Sequence, residues 1–571
     1  MVSTSLLVPV ERFQNAGNYS TVEDFFKKFS FKRIINMNGE MLLIILLLCG
    51  AAKVHSHPMY RETNSTYMTK RNEFLKQEAG VVVGSSIVLN EKEKRLNDYL
   101  LSAKKGEVSR GFKTTFPPAV NFLKGKPLVE NSTVFQIIRR MPKGGILHIH
   151  EISMANASWV VQNITYLPHL YYCVTDDYYS SLHFNFSATP PSQSPPDCVT
   201  EWMSVASARA QMGAELFDQM LHHNITMAAQ NPDAAYPNIT MAWMGFSSAL
   251  HSLTELFFTT SAFRLFMWHS LERMIRDNVQ YVEIRTLLYP LQDLDGSIST
   301  QEHTLQEYIR VLQDFKNQYP DDFLGGKIIL SSLRYPINRT LVGDQLNLAM
   351  DFRKKYPEFF AGYDLVGEED SGGPLIAYIN ELLTPSQLGV DLPFFFHAGE
   401  TDWEGEFVDR NLIDAVLLNT SRIGHGYAIN KHPVVMETIK SKGIAIELNP
   451  ISNQILHLVH DLRDHVGASL IADDYPVVVS SDDPIVWEAL PLSHDYYMAF
   501  MAMSGESTGL TLLKQLAMNT IKYSAMTQAE KSAALSLWQA KWDSFITEMI
   551  AMYIIRRSPI DEQNNVMKSN G

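Results

Sequence analysis

At 571 residues, 46% of them hydrophobic, the chain can bury a large core, and its length allows more than one domain. A formal net charge of −14, with no Lys/Arg-rich stripe to offset it, excludes a nucleic-acid-binding surface of the usual electrostatic kind. A local basic patch for anionic sugars remains compatible with that total.

Residues 1–56 read as an N-terminal head and signal peptide. The run Met41–Ala52 (MLLIILLLCGAA) is too short to span a bilayer comfortably. Lys27, Lys28, Lys32 and Arg33 precede it, and Val54 and Ser56 stand before a cleavage near His57. Because the run begins well inside the chain, either translation starts at Met37 or Met41 rather than Met1, or the chain carries an extra head. A signal-anchor or a buried helix are the other uses of such a run. Cys49 lies within it, which leaves Cys173 and Cys198 as the pair for one disulfide. With no CxxC and no third thiol, a zinc–thiolate site is disfavoured. Nine Asn-x-Ser/Thr sequons follow, at Asn64, Asn131, Asn156, Asn163, Asn185, Asn224, Asn238, Asn338 and Asn419. Together these features predict a secreted, extracellular glycoprotein with no stable membrane span.

Residues 57–143 read as a helical extension. KRNEFLKQEAG and LNEKEKRLNDYLLSAKK have helical periodicity and could pack on the main domain or pair with a second chain. From Gly144 short apolar runs alternate with helical stretches: 144–150, 279–285, 326–333, 359–367, 393–400, 422–426, 443–450 and 475–484. Eight such runs predict an α/β fold, a parallel (β/α)8 TIM barrel of the metal-dependent hydrolase type over residues 144–557. The stretch from Ala155 to Tyr281 is too long for one crossover, so an inserted subdomain, carrying the cysteine pair, is expected at about 155–240. Thr527–Arg557 reads as a long helix covering the barrel, and 558–571 as a polar tail.

The chemistry sits at predicted strand ends. His148 and His150 are two apart on one strand, so both side chains point to the same face. With His397 and Asp482 they make a three-histidine, one-carboxylate set suited to one Zn²⁺ per subunit, with room for a water whose pKa falls to about 7. Glu400, just past its strand, can carry a proton to a substrate. His425, between two glycines, can orient or deprotonate the water, and Asp483 can hold a heterocyclic nitrogen. The fourth barrel run, FFAGYDLVGEED, lacks the lysine that bridges two metals in many barrel hydrolases, which narrows the chemistry toward deamination.

HIH, HAGE, GHG and SSDDP, in this order and spacing, resemble the adenosine deaminase family. PFFFHAGETDW, SRIGHGYAI, PISNQIL and LKQLAMNTIKYS are similar to its secreted growth-factor-related branch in detail. The resemblance covers most of the chain from about Tyr60. It implies zinc on His148, His150, His397 and Asp482, protonation of purine N1 by Glu400, help to the attacking water from His425 and contact with N7 by Asp483. Gly367 matches a glycine whose backbone meets the purine, and Trp243 lies in a substrate-binding stretch. The implied reaction is attack of zinc-bound hydroxide at C6 of adenosine or 2′-deoxyadenosine, releasing inosine and ammonia and limiting extracellular adenosine signalling. A homodimer through the N-terminal helices is implied too, with a cell-surface receptor or glycan as a further partner. Glu151, Ser247 and Leu333 depart from the branch, which there carries Asp, Glu and His, at positions expected near the nucleoside. The other readings are a secreted growth-factor-like ligand retaining its zinc site, an AMP deaminase and a non-nucleoside amidohydrolase. The exported, acidic chain disfavours the second of these. The paired aspartates disfavour the third.

Overall fold

The computed structural model describes residues 63–176 and 182–555. The predicted signal peptide with Cys49, the alternative start sites and the tail 558–571 lie outside the described residues. Of the described residues, those up to Leu75 and those from Lys76 onward belong to separate units. A helix, Asn64–Gly80, runs across their boundary with no buried side chain. No helix among the described residues is long and apolar enough to cross a membrane.

Strand β1 (Gly144–His150) opens the second unit's central sheet. A small antiparallel sheet follows, made of β2 (Leu170–Val174), β3 (Leu182–Phe186) and β4 (Met203–Ser204) in the spatial order β3-β2-β4. A disulfide joins Cys173 to Cys198 within this segment. The parallel set then resumes with β5 (Val279–Thr286), β6 (Gly325–Leu333), β7 (Phe360–Val366) and β8 (His397–Ala398). It ends with β9 (Arg422–His425), β10 (Ala445–Leu448) and β11 (Val477–Val479).

Two four-stranded parallel sheets, β1-β5-β6-β7 and β11-β10-β9-β8, meet at two seams. At one, Ile149 bridges Asp482; at the other, Tyr363 bridges Phe394. The result is the eight-stranded barrel that the spacing of apolar runs predicts. Its strands are buried along nearly their whole length, apart from the ends of β1 and β6, as parallel strands sheathed by helices must be. β8 is much shorter than the predicted 393–400. Pro393 offers no N–H, though its carbonyl accepts from Tyr363 at 3.0 Å, and Gly399 turns to φ +77° directly after Ala398.

The helix Glu91–Gly111 is capped at Asn90, whose side chain accepts from the backbone of Glu93 while Glu93 reaches back. Trp542 Nε1 donates to Glu93 at 2.8 Å, so this helix packs on the C-terminal helix Gln528–Ile550. That C-terminal helix lies against the barrel, where Trp538 Nε1 donates to the carbonyl of Pro142 at 3.0 Å.

Candidate active site

Four histidines and two aspartates meet at the C-terminal mouth of the barrel, where (β/α)8 enzymes build their sites. His148 Nε2 and His150 Nε2 stand 3.1 and 3.2 Å from the same oxygen, Oδ1 of Asp482. The His148 ring centre is 4.5 Å from that of His397 and 5.0 Å from that of His425. Donor atoms of His148, His397, His425 and Asp482 all lie within 4.8 Å of one another. The chain reaches this crowding through small residues and unusual backbone. A Cβ on Gly424 would meet Cε1 of His148 at 2.9 Å, and both His425 (φ +60°) and Asp482 (φ +59°) are in the left-handed region.

Hydrogen bonding on the far side of each ring settles which nitrogen faces the centre. His148 Nδ1 bonds Glu447 at 2.7 Å, and His397 Nδ1 bonds Asp364 at 2.7 Å, so each presents a bare Nε2 inward. Burial pushes Asp364 and Glu447 up, yet His397 and Arg285 acting on the first, and Arg285 and Arg422 on the second, outweigh it. Both carboxylates therefore stay charged. Arg285 donates to Asp364 at 2.8 Å and to Glu447 at 2.7 Å, and Arg422 donates to Glu447 at 2.6 Å. Burial holds His397 down at about 4, so it is neutral, as a ligand requires. His148 Nε2 and Asp482 Oδ1 are buried and have no hydrogen-bond partner despite standing so close. Converging lone pairs without protons between them fit a cation. Against the pull of burial, Asp483 and Asp482 hold His150 up at about 9, another sign that the centre calls for positive charge.

His425 is fixed from behind by a chain that begins at a backbone amide. Gly467 N–H donates to His465 Nδ1 at 2.9 Å; His465 Nε2–H therefore donates to Asn453 Oδ1 at 2.9 Å, and Asn453 Nδ2 donates to His425 Nδ1 at 3.0 Å. A backbone N–H can only donate, so the sequence of donors is forced and His425 carries its proton on Nε2. That nitrogen faces Asp482 Oδ2 at 3.8 Å, a gap that suits an intervening water. The 3.4 Å approach of Asn449 Nδ2 to the same nitrogen is resolved by turning the Asn449 amide, which also satisfies its otherwise unpartnered Oδ1.

Glu400 lies 3.4 Å from His425 Nδ1. Burial, with Asp482 and Glu369 nearby, pushes its carboxyl well above the usual range and keeps it protonated. Asp483 is raised to about 8 by burial and by Asp482, and takes a short hydrogen bond from Ser153.

These groups open into a cavity of about 630 Å³ including its mouth. Its walls are mainly apolar and include Trp243, Phe246, Leu250, Leu333, Val366 and Leu456, with Gly367 (φ +98°) on one side. Thus His148, His150, His397, Glu400, His425, Asp482 and Asp483 come together, and Trp243 and Gly367 line the adjoining cavity. Of the three departures, Glu151 and Leu333 line the cavity, but Ser247 is exposed and does not: helix Ile239–Phe257 turns Trp243, Phe246 and Leu250 inward instead. Reasoning from sequence passes over Glu447, Asp364, Arg285, Arg422, Asn453 and His465. The first four carry a signal in principle, since each is a charge in an otherwise largely apolar, buried strand.

The adenosine deaminase family model matches residues 214–540, and the adenosine/AMP deaminase N-terminal model matches residues 42–138. Adenosine deaminase 2 of Sus scrofa is 40% identical over 515 residues, covering 90% of this chain and 99% of that protein. Adenosine deaminase 2 of Homo sapiens is 40% identical over 481 residues, 84% of this chain and 93% of that one. An adenosine deaminase of Phlebotomus duboscqi is 39% identical over 514 residues, 89% and 98%. Among solved structures, the Arabidopsis N6-mAMP deaminase MAPDA superposes with a TM-score of 0.51 at 16% identity, covering 71% of this chain and 99% of that one, a likeness of fold. The barrel, the buried His/Asp group and these relatives together place the chain in the adenosine deaminase family of hydrolases.

Proposed function

We propose that this protein is a secreted, zinc-dependent adenosine deaminase that converts adenosine and 2′-deoxyadenosine to inosine and 2′-deoxyinosine, limiting extracellular adenosine signalling. The observation that carries the reading is the meeting of the unpartnered His148 Nε2 and Asp482 Oδ1 with a protonated Glu400 at one apolar cavity. His148, His150, His397 and Asp482 would hold one zinc, which when bound makes water nucleophilic at neutral pH. Trp243, Phe246 and Gly367 hold the purine against the site, and Asp483 with its proton donates to N7. Glu400 donates its proton to N1, which draws electrons from C6. His425 Nε2–H, only weakly engaged by the Asn449 amide at 3.4 Å, turns to donate to the water's oxygen and orients it, and Asp482 Oδ2 accepts a water proton. The water oxygen bonds C6, and the C6–N6 bond breaks. The proton Glu400 gave stays on N1, one of water's two protons leaves on the departing ammonia, and the other restores Glu400.

Leu333 and Glu151 in the wall replace the branch's His and Asp; Leu333 offers no hydrogen bond, which raises KM, whereas Glu151 keeps a carboxylate that accepts the Leu287 amide at 3.1 Å. Export is supported by the Cys173–Cys198 disulfide and by nine sequon asparagines of which none is buried. Dimerisation is supported by Tyr67, Phe74 and Leu75, which the helix Asn64–Gly80 leaves exposed.

The test is loss of adenosine's ultraviolet absorbance with purified protein. Glu400→Gln keeps the shape and removes the proton, so kcat should fall by on the order of 10²–10⁴-fold. No turnover by the zinc-loaded wild type at millimolar adenosine would overturn the reading and favour a non-catalytic ligand.

A further inference from the structure

A second group of metal-ligating side chains lies outside the barrel mouth, between the antiparallel sheet and helix Ile239–Phe257. His183 on β3 points Nδ1 at Glu255 Oε1, 2.8 Å away, and at His251 Nε2, 3.0 Å away. The third side of this triangle, His251 Nε2 to Glu255 Oε1, is 3.6 Å. A tetrahedral zinc with bonds of about 2.0–2.1 Å sets its donors about 3.3 Å apart, within the range of these three separations. His251 and Glu255 are four apart on one helix, so both project from the same face.

Each principal donor is held by a partner on its other side. Glu255 Oε2 accepts the backbone N–H of Phe184 at 2.6 Å, leaving Oε1 for the centre. His183 Nε2 is bonded to Asp197 Oδ2 at 2.9 Å, the carboxylate–histidine pairing that orients a metal-ligating ring. The disulfide brings Asp197 there: Cys173 on β2 lies opposite His183 on β3 in the sheet register, and Cys198, next to Asp197, is bonded to Cys173. Both thiols are spent in that bond, so the donor set is two imidazoles and one carboxylate. His251 is nearly half exposed, which leaves a path for an ion and room for a water as fourth ligand.

We propose that His183, His251 and Glu255 form a second zinc site, with Asp197 orienting His183, which fastens β3 to the helix that forms one wall of the catalytic cavity. The same helix turns Trp243, Phe246 and Leu250 inward, so an ion here joins the disulfide-linked sheet to the substrate's surroundings. The competing occupant is a proton: Glu255 first, and Asp197, raise His183 to about 9 when no cation is present. Zinc binding therefore displaces protons and weakens as the pH falls.

The experiment counts zinc in the full secreted chain after equilibrium dialysis at low micromolar free Zn²⁺, for wild type, His251→Ala and His397→Ala. Two ions per wild-type chain are expected, and one in each variant, because the two sites are independent. His251 is a surface residue, so its removal leaves folding intact, and circular dichroism checks this. A wild-type count of one that His397→Ala abolishes and His251→Ala leaves unchanged overturns the proposal, as does a count of two that His251→Ala leaves unchanged. Failure of the barrel site would instead appear as a count that His397→Ala does not lower, which separates the two readings.

Discussion

His425 owes its proton position to residues that never touch a substrate. The donor chain from Gly467 through His465 and Asn453 leaves Nε2 as the only protonated nitrogen, which suits a group that orients water and does not suit a resting base. Asn453→Leu keeps the volume and cuts the chain. A lost buried hydrogen bond of about 1–3 kcal/mol should appear as a roughly 10–100-fold fall in kcat. KM and zinc content should stay near wild type, and the acidic limb of the kcat profile should move because His425 can then take either tautomer. An unchanged profile would show that Asn453 serves packing alone. A second residue-scale expectation concerns His494. Burial pushes it well below 6.5, Lys126 adds to this, and its Nδ1 accepts the Leu490 amide at 2.8 Å. It is neutral when folded and takes a proton when unfolded, so its contribution to stability is present above about pH 6.5 and is lost as the pH falls. Urea titrations below that point should show wild type losing about 1.4 kcal/mol per pH unit relative to His494→Gln, and parallel curves would refute this.

Strands with charged interiors explain what could and could not be foreseen. The eight apolar runs mark the barrel because parallel strands are buried on both faces, and HIH, HAGE, GHG and SSDDP mark the site because chemistry concentrates at strand ends. Their supports are harder to read. Glu447 in IELN and Arg285 in VEIR look like ordinary interruptions until the barrel closes and brings β5, β9 and β10 round one axis. Asn453 and His465 follow loops and short helices, whose paths depend on tertiary packing. The strand ends were legible too, but only as far as backbone chemistry allows, as the shortening of β8 at Pro393 and Gly399 illustrates. Arg422 shows how much the hidden layer matters: it donates to Glu447 at 2.6 Å and to Glu283 at 2.5 Å while fully buried. Removing it takes the paired cation from Glu283 and leaves Glu447 with Arg285 alone. Arg422→Met should destabilise by about 3–5 kcal/mol in denaturant titration, far more than an exposed pair such as Arg264–Asp314 would on truncation.

On the scale of the molecule, a cation in the barrel mouth would join elements that the backbone connects only weakly. β1 and β11 meet through one bridge, between Ile149 and Asp482, and the proposed ligands come from both sides of that seam. Stripping the metal with a chelator should therefore lower the melting temperature as well as abolish turnover. At a free concentration a thousand times Kd, the ion adds about 4 kcal/mol to stability. An apo protein that melts with the holo protein would remove the fastening role. The position of that seam also bears on how the protein is made. His148 and His150 are among the first barrel residues to leave the ribosome, and Asp482 is among the last. A growing chain carries an incomplete binding site through most of its synthesis. The ion can be captured only after the final strand has come round to meet the first, so loading with metal reports that the polypeptide is whole.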